Sequence, residues 1–405
     1  MRYRTLLILL LLAPLQLQAA SQWAFSERIA VTEKPQAGVF HHLDSAGRRS
    51  IALSEGQVAI TWEDNRSGQP QIYYAVKPQG SSTFSAPIQI SNDKDAYEPA
   101  IAGLKNGRFI LVWEQAGAVV ARAAIGAKLG PIVKISSSAA GQATISSFNG
   151  KGYIAWREKR DRYPNIHFCQ VTADKTGKLT RGRPTPIEPD AINAPQLYPT
   201  IAAGAAGIAI AWEDRREGHT RLLFSHTTDG TTFSQPDNLN EFRSNRNEYD
   251  KGNGVTRVAI AAFGEDEVIA AWMDKRRSNK GYGIYAALGY DGGEEYELNE
   301  KVQGKVGDDL PHYNPAVTGS RDGTILVAWD DYRNETSDIW MSRYTDDMKW
   351  SEDFTAPVIS GPGEQSNPSF VMDESGNLHL AWIEAHDLGR PSRIWYTSAV
   401  RVRAK

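Results

Sequence analysis

Residues 211–220 read AWEDRREGHT, an apolar run that ends in tryptophan and continues into two acids and two arginines. Close variants recur as AITWEDNRSG at 59–68, IAWREKRDRY at 154–163, AAWMDKRRSN at 270–279 and VAWDDYRNET at 327–336. Self-similarity at a period of roughly 20–50 residues is the sequence signature of repeat architectures, so this phrase decides the fold.

Seven tryptophans mark the repeat, and each ends an apolar strand that follows a short strand and a glycine-containing turn. They are Trp62, Trp113, Trp156, Trp212, Trp272, Trp329 and Trp382. Runs of β-branched and aromatic residues, separated by Gly/Asp turns, predict about four antiparallel strands per unit. The sequence therefore predicts an all-β fold, a seven-bladed β-propeller of four-stranded blades, with a six-bladed ring as the alternative.

The two ends of the chain indicate how such a ring closes. Most units carry a fourth strand, such as FSAPIQIS at 84–91 and FTAPVIS at 354–360, but the seventh stops after SRIWYTSAVRV. A matching segment, FSERIAV, stands at 25–31, before the first full unit. We expect this N-terminal strand to complete the last blade, so that residues 21–405 form one closed domain.

The first 20 residues, MRYRTLLILLLLAPLQLQAA, place two arginines before a short apolar stretch and small residues. This pattern predicts a secretory signal peptide. No later segment has the apolar length of a membrane helix, and the single cysteine, Cys169, excludes an internal disulfide. We expect a monomer that is exported to the periplasm or the cell exterior and is not inserted in a membrane.

Charge and motifs limit the possible ligands. Removal of Arg2 and Arg4 leaves 43 Lys+Arg against 48 Asp+Glu, a net charge of 43 − 48 = −5, which argues against a nucleic-acid partner. No metal-ligand spacing such as His-Glu-x-x-His or paired Cys-x-x-Cys occurs, so no metal or other cofactor is predicted. Acidic runs such as NDKDAYE at 92–98 could hold calcium but do not follow the EF-hand pattern.

The repeated acid–arginine pair is interpreted as scaffold, because copies spread around one ring cannot all act on one central substrate. The carboxylate is expected to tie the loop after the second strand, and the guanidinium to bind that carboxylate or a neighbouring blade. The residues assigned to this structural repeat are Trp62, Asp64, Arg66, Trp212, Asp214, Arg216, Trp329, Asp331 and Arg333, with further pairs at Glu158/Arg160 and Asp274/Arg276.

Function is expected where the units differ, in the connections that lead into the innermost strands and crowd one mouth of the channel. One residue per unit precedes the common proline or its equivalent: Arg48, Glu98, Gln142, Tyr198, Arg257, Asn314 and Asn367. The candidate ligand-binding residues are His42, Arg49, Tyr97, Glu98, Tyr198, Glu248, Tyr249, Arg257, His312 and Tyr313. Such a mixture suits hydroxyl-rich or carboxylated ligands.

The stretch WEDNRSGQPQIYYAVKPQGSSTFSAPIQIS at 62–91 resembles the repeat of secreted, sialidase-like propellers of the BNR or Asp-box type. The Asp-box turn is represented by HTTDGTTF at 226–233, with Thr228 at the position of its aspartate. RSIAL, Arg49–Leu53, is similar to the Arg-Ile-Pro-x-Leu that opens the sialidase inner strand. The rest of the sialidase set, an arginine triad, a tyrosine–glutamate pair and an aspartate acid/base, has no other match.

Two classes of function follow from the sequence. The first is an exported recognition propeller that binds a glycan, acidic or neutral, or a protein partner at the channel mouth. The alternative is a polysaccharide-active enzyme, either a uronate polysaccharide lyase or a sialidase-like glycoside hydrolase, in which His312, Tyr313, Tyr198, Tyr249 and Arg257 supply the reacting groups. Arg49 and Arg257 are expected either to bind a ligand carboxylate or to pair with acids such as Glu98 and Asp250.

Overall fold

The computed structural model describes residues 22–402, apart from 44–46, 93, 138, 160–161, 191–192, 241–253, 277–280, 305–309, 346 and 386–390. Throughout these described ranges the regular elements are β-strands, which form seven antiparallel sheets of strands that follow one another in sequence. The innermost strand of each sheet contacts that of the next, and the seventh contacts the first. The seven-bladed β-propeller is therefore confirmed, and the six-bladed alternative is wrong.

Within each blade the strands are numbered from the channel outward. The first strands are Ile51–Ser54, Ala96–Gly103, Ala140–Phe148, Gln196–Ala203, Val255–Phe263, His312–Gly319 and Glu364–Met372, with His41–His42 as a separate start in blade 1. The second strands are Gln57–Asp64, Arg108–Gln115, Lys151–Lys159, Ile208–Asp214, Glu267–Asp274, Ile325–Asn334 and Leu378–Ala385. The third strands are Gln71–Lys77, Ala118–Ile125, Pro164–Ala173, Arg221–Thr227, Gly283–Tyr290, Thr336–Tyr344 and Ser392–Arg401.

The outer strands are short and irregular. In blades 1 to 5 they are Ile88–Gln89, Lys128–Leu129, Val133–Lys134, Leu179–Arg181, Thr185–Pro186, Asp237–Asn238, Glu295–Tyr296 and Glu300–Lys301. In blade 6 the outer position is held by two isolated bridges, Met341 to Phe354 and Tyr344 to Trp350.

Blade 7 takes its outer strand from the start of the described chain. Trp23–Phe25 and Ile29–Ala30 both pair with Ser392–Arg401, as the FSERIAV match predicts. The Trp23 indole is 2% exposed and donates a hydrogen bond of 2.8 Å to the Gly376 carbonyl in the same blade. The ring is therefore closed by pairing of the two ends, and the prediction is confirmed.

The hydrophobic core lies in layers between neighbouring blades. All seven repeat tryptophans are fully buried. One layer joins Trp156 of blade 3 to Ile110 and Val112 of blade 2, and another joins Trp382 of blade 7 to Leu326 of blade 6. Because each sheet is covered on both sides, its second strand is almost continuously apolar rather than alternating.

The repeated acid binds its own tryptophan and arginine. In blade 1 the Trp62 indole donates to Asp64 at 2.8 Å, while the Arg66 guanidinium approaches the same carboxylate at 2.6 Å. The same contacts recur in three more blades, around Asp214, Asp274 and Asp331. In blade 3 the Trp156 indole donates to Glu158 at 2.8 Å, and Arg160 lies outside the described residues.

The arginine of this unit also reaches outward. Arg66, Arg276 and Arg333 each lie over an aromatic ring of the third strand, at 4.5, 4.5 and 3.8 Å from the ring centroid. Arg216 has no such ring and instead contacts Glu188 of blade 3 at 2.6 Å. The acid–arginine pair thus links elements within a blade and, at Arg216, between blades.

Candidate ligand-binding site at the channel mouth

A β-bulge near the start of the innermost strand in blades 2 to 7 gathers one side chain per blade at the channel mouth. In six blades the register shifts by one position immediately around this residue. The bulged residues have positive φ values of 50–59°: Glu98, Gln142, Tyr198, Arg257, Asn314 and Asn367. A left-handed backbone is unfavourable for residues other than glycine, so it persists only where the surroundings fix it.

The first acid of the repeated phrase in the preceding blade fixes four of the six bulges, whereas the Tyr198 amide donates to the Gln142 side chain at 2.8 Å. Glu63 accepts the Glu98 amide at 3.1 Å, and Glu213 accepts the Arg257 amide at 2.9 Å. Asp330 accepts the Asn367 amide at 2.9 Å. Sequence reasoning missed this role, although the signal was present as an acid directly after tryptophan in four units. The two acids that follow the tryptophan therefore have different roles. The first accepts a hydrogen bond from the next blade, and the second accepts hydrogen bonds from its own loop.

Blade 1 departs from this pattern, because the segment from Gly47 to Ser50 crosses the channel. Gly47 has φ 101°, and a Cβ there would lie 2.8 Å from the Val258 carbonyl oxygen, so only glycine fits. Its carbonyl accepts the Thr144 hydroxyl at 2.6 Å, while the Ser50 amide donates to Ser369 at 2.9 Å. We call residues 47–50 the plug.

The two arginines of the plug, Arg48 and Arg49, bind protein groups inside the channel. Arg48 is 5% exposed and contacts Glu98 at 2.7 Å and the Ala143 carbonyl at 3.1 Å. Arg49 donates to the Ile260 carbonyl at 3.1 Å, and burial lowers its pKa from the usual value for arginine. The remaining cavity beside both arginines measures about 20 Å³, which is too small for a sugar. Arg49 and Glu98 thus have partners within the propeller.

Arg257 has a different environment. Its guanidinium carbon lies 3.9 Å from the centroid of the Tyr198 ring, across the junction of blades 4 and 5. Glu213 accepts the Arg257 backbone amide and the Thr256 hydroxyl, at 2.9 and 2.6 Å, but forms no ion pair with the guanidinium. Within the described residues no carboxylate lies within ion-pair distance of this guanidinium. Arg257 therefore presents hydrogen-bond donors from a guanidinium that lies over an aromatic ring.

Three more tyrosines lie in the following blades, Tyr282 in blade 5 and Tyr313 and Tyr332 in blade 6. Tyr282 packs against Tyr313 at 6.1 Å between centroids, and Tyr313 against Tyr332 at 5.8 Å. All three are partly exposed, and Lys275 lies 4.4 Å over the Tyr282 ring. We call Tyr198, Arg257, Tyr282, Tyr313 and Tyr332 the mouth arc, which extends from blade 4 to blade 6.

Asp330, an aspartate with a raised pKa, lies next to Tyr332 at the blade 6 end of the mouth arc. Asp330 is 2% exposed and accepts hydrogen bonds from the Asn314 amide group at 2.7 Å and the Asn367 amide. Burial, with a smaller contribution from the charge of Glu364, raises the pKa of Asp330 to about 8. Burial also raises the pKa of Tyr332, with Asp330 next among the causes. Both groups therefore keep their protons to a higher pH than an ordinary aspartate or tyrosine.

Other predicted site residues are placed apart from the arc. His312 is fully buried, with Nε2 at 3.2 Å from Asp331 and Nδ1 at 3.1 Å from the Tyr282 carbonyl oxygen, so it has no surface for a ligand. His42 is half-exposed at 3.8 Å from Glu63, and the hydroxyl of Tyr97 donates to Asp95 at 3.1 Å. Glu248 and Tyr249 lie outside the described residues. Tyr198, Arg257 and Tyr313 are thus the predicted residues that the structure brings into the arc.

Across the described part of the chain, no group of three or more His, Cys, Asp and Glu side chains is arranged to hold a metal ion. A search of the same residues gives no helix that is long and apolar enough to cross a membrane.

Comparisons with known proteins find the fold in solved structures only. No family model and no curated protein matches the sequence. The polysaccharide lyase Uly1 is 10% identical, with a TM-score of 0.59 over 94% of this chain and 100% of its own. A Dyadobacter fermentans protein of unknown function is 13% identical, with a TM-score of 0.57 over the same shares. A Trypanosoma rangeli sialidase in complex with the inhibitor DANA is 12% identical, with a TM-score of 0.49 over 78% of this chain and 56% of its own. At these identities the likeness to the first two structures shows a shared fold alone.

Proposed function

We propose that this chain is an exported recognition propeller that binds an acidic glycan on the mouth arc. The arc combines flat aromatic surfaces with hydrogen-bond donors, which is the chemistry that sugar rings and their carboxylates require. The propeller neighbours include a protein named as a polysaccharide lyase, which agrees with a glycan ligand but does not determine one for this chain.

The observation that carries the proposal is the Arg257 guanidinium. Arg48 and Arg49, the arginines of the plug, are already engaged with a carboxylate and a carbonyl. Arg257 is oriented by Tyr198 and lacks an acid partner among the described residues. A planar guanidinium held in this way can bind a carboxylate through two parallel hydrogen bonds, and such charge-assisted bonds contribute about 1.5–3 kcal/mol each.

Calorimetric titration of the purified mature protein tests this proposal. The ligands are polygalacturonate with neutral galactan, and sialyllactose with lactose. We expect the acidic member of a pair to bind more tightly, to weaken as salt is raised, and to lose at least about tenfold in affinity in Arg257→Ala. Arg183→Ala removes an exposed arginine on the outer edge of blade 3 and should leave affinity within twofold. Absence of glycan binding at millimolar concentration, or equal affinity in Arg257→Ala, would contradict the proposal.

A second candidate, a polysaccharide-active enzyme, is favoured by the raised pKa values of Asp330 and Tyr332. An acid with a pKa near 8, two residues from a partly exposed tyrosine, resembles the tuned groups of general acid–base catalysis. His312 and Asp330 are both buried against protein atoms, so Tyr332 is the partly exposed group of this candidate. The same incubations, examined for new reducing or unsaturated ends, would place the protein in this class if Tyr332→Phe abolished product while glycan binding persisted.

A further inference from the structure

A large cleft lined by described residues lies on the face of the ring opposite to the mouth arc. Its volume is about 730 Å³, and it is lined by the turns that join first and second strands in blades 3 to 7. The plug lies between the two faces and leaves a cavity of only about 20 Å³ in the channel. A ligand in this cleft therefore does not reach the mouth arc.

The cleft exists because of an unusual turn in blade 4. The turn at 204–207 reads GAAG, so none of its side chains is larger than a methyl group. The equivalent turns of blades 1, 2 and 3 carry longer side chains, and two contacts tie them together. Glu55 accepts the Asn106 amide at 2.9 Å, and the Lys105 ammonium donates to Asn149 at 3.0 Å. In blade 4 no such side chain fills the space.

The walls of the cleft combine an apolar side with an acidic side. Phe148 is 40% exposed at one edge, beside the alanines of the blade 4 turn. Four acids line the remainder, Glu265, Asp266, Glu267 and Glu374, against one cation, Arg321, so that the formal balance is 1 − 4 = −3. No ion pair within the described residues neutralises these four acids.

The acidic side also carries unrelieved repulsion. Glu267 accepts the backbone amides of Glu265 and Asp266, at 3.0 and 3.2 Å, so its carboxylate lies against the backbone of these two acidic residues. Burial, followed by repulsion from Glu267 and Asp291, raises the pKa of Asp266. A cationic ligand would relieve this repulsion, whereas an anionic ligand would increase it.

We propose that this cleft is a docking site for a basic peptide segment of a protein partner. The segment places Lys or Arg ammonium or guanidinium groups against Glu265 and Glu374, and an apolar residue between Phe148 and the blade 4 turn. Charge complementarity selects this occupant, since four acids on one wall disfavour nucleic acids and acidic glycans. The site is separate from the proposed glycan site and does not depend on it.

The test uses fluorescence anisotropy with a labelled hexapeptide of alternating lysine and leucine, and with its glutamate–leucine counterpart. We expect the basic peptide alone to bind. Affinity should fall at least about tenfold in Glu265→Lys/Glu374→Lys and also in Ala205→Trp, which fills the cleft without changing charge. The matched control, Glu295→Lys/Glu352→Lys, makes the same charge change at exposed acids that do not line the cleft, and should stay within twofold.

Three outcomes would overturn the proposal. Equal losses of affinity in Glu265→Lys/Glu374→Lys and in Glu295→Lys/Glu352→Lys would show that the peptide is attracted to the net charge of the protein rather than docked in the cleft. Full affinity in Ala205→Trp would show that the peptide does not enter the cleft, and binding of the acidic peptide would contradict the charge argument. Thermal melting of each variant, together with glycan titration, separates a local effect from misfolding and from failure of the function proposed for the other face.

Discussion

At the scale of single residues, Asp214 shows how one buried carboxylate organises a blade. It is fully buried and accepts hydrogen bonds from the Trp212 indole, the Arg216 backbone amide and guanidinium, and Gln196. Burial opposes its ionisation, but the hydrogen bonds from Arg216 and Trp212 outweigh this effect and lower the pKa of Asp214. The folded state therefore holds the charged form, and removal of the carboxylate leaves buried donors without an acceptor.

Substitution of this pair should destabilise the fold. We expect Asp214→Ala to lower the free energy of unfolding by about 2 kcal/mol or more, because it strands buried N–H groups. Arg216→Ala should cost about 1 kcal/mol, since its side chain is 37% exposed and Asp214 keeps other donors. Urea unfolding of both single variants and the double variant should give a coupling energy of about 1 kcal/mol.

The neighbouring Arg215 provides a control for the same loop and the same charge change. It is exposed, and we expect Arg215→Ala to leave the unfolding free energy within about 0.5 kcal/mol. Unchanged stability in both Asp214→Ala and Arg216→Ala would refute the scaffold interpretation and would point to a functional role for the pair.

The raised pKa of Asp330 predicts that its contribution to folding stability falls as pH rises, whereas the lowered pKa of Asp214 predicts the opposite. Its pKa is about 8 in the folded protein and about 3.9 in an unfolded chain, so the folded state binds the proton more tightly. The stability it contributes is present below about pH 4 and is lost as the pH rises toward 8. We expect the stability of the parent protein relative to Asp330→Asn to decline between pH 5 and pH 8, measured by urea unfolding. A constant difference across that range would show that Asp330 is ionised throughout.

At the scale of strands and turns, the repeat made the blades predictable. Trp62 and its six counterparts fixed the second strand of every unit, and the match of FSERIAV to other fourth strands predicted the pairing with Ser392–Arg401. These inferences succeeded because hydrophobic periodicity and turn residues act locally, and because seven copies of a pattern average out its exceptions.

The positions of individual side chains at the mouth were harder to predict. The sequence grouped Tyr198 and Arg257 correctly in one region, but not the contact of their side chains, which depends on bulges and left-handed backbone angles. His312 lies two positions before the bulged residue Asn314, in a connection of the same kind. Its side chain nevertheless faces Asp331 in the core, because the bulge gives the two positions different environments. Such differences arise from packing between blades, which a local pattern does not encode.

The plug was not predicted for a related reason. Gly47 and Arg48 precede the first strand of blade 1 just as other loops precede theirs, yet they cross to contact blades 2, 3 and 5. The contact partners lie 50 or more positions away in sequence. Only the three-dimensional ring brings Glu98, Ala143 and Val258 around one point.

At the scale of the whole molecule, the propeller has two faces, and strand pairing in blade 7 closes the ring. The plug lies between the mouth arc and the cleft on the opposite face, so ligands at the two proposed sites would not contact each other. Closure rests on blade 7, where segments from both ends of the described chain form one sheet. Without the N-terminal strands, the third strand of blade 7 would become an exposed edge with unpaired backbone groups.

Deletion of residues 21–33 should therefore impair the entire propeller rather than one blade. The deletion removes the buried Trp23 indole, which stacks on Phe354 of blade 6 at 6.4 Å and bonds to Gly376 of blade 7. We expect aggregation, or a melting temperature lower by several degrees, in size-exclusion chromatography and calorimetry. Trp23→Ala should lower stability by about 3 kcal/mol through loss of core packing, whereas Glu27→Ala, at an exposed position of the same segment, should change it little. A truncated protein as monomeric and stable as the parent would mean that the first strands are not needed to hold the ring closed.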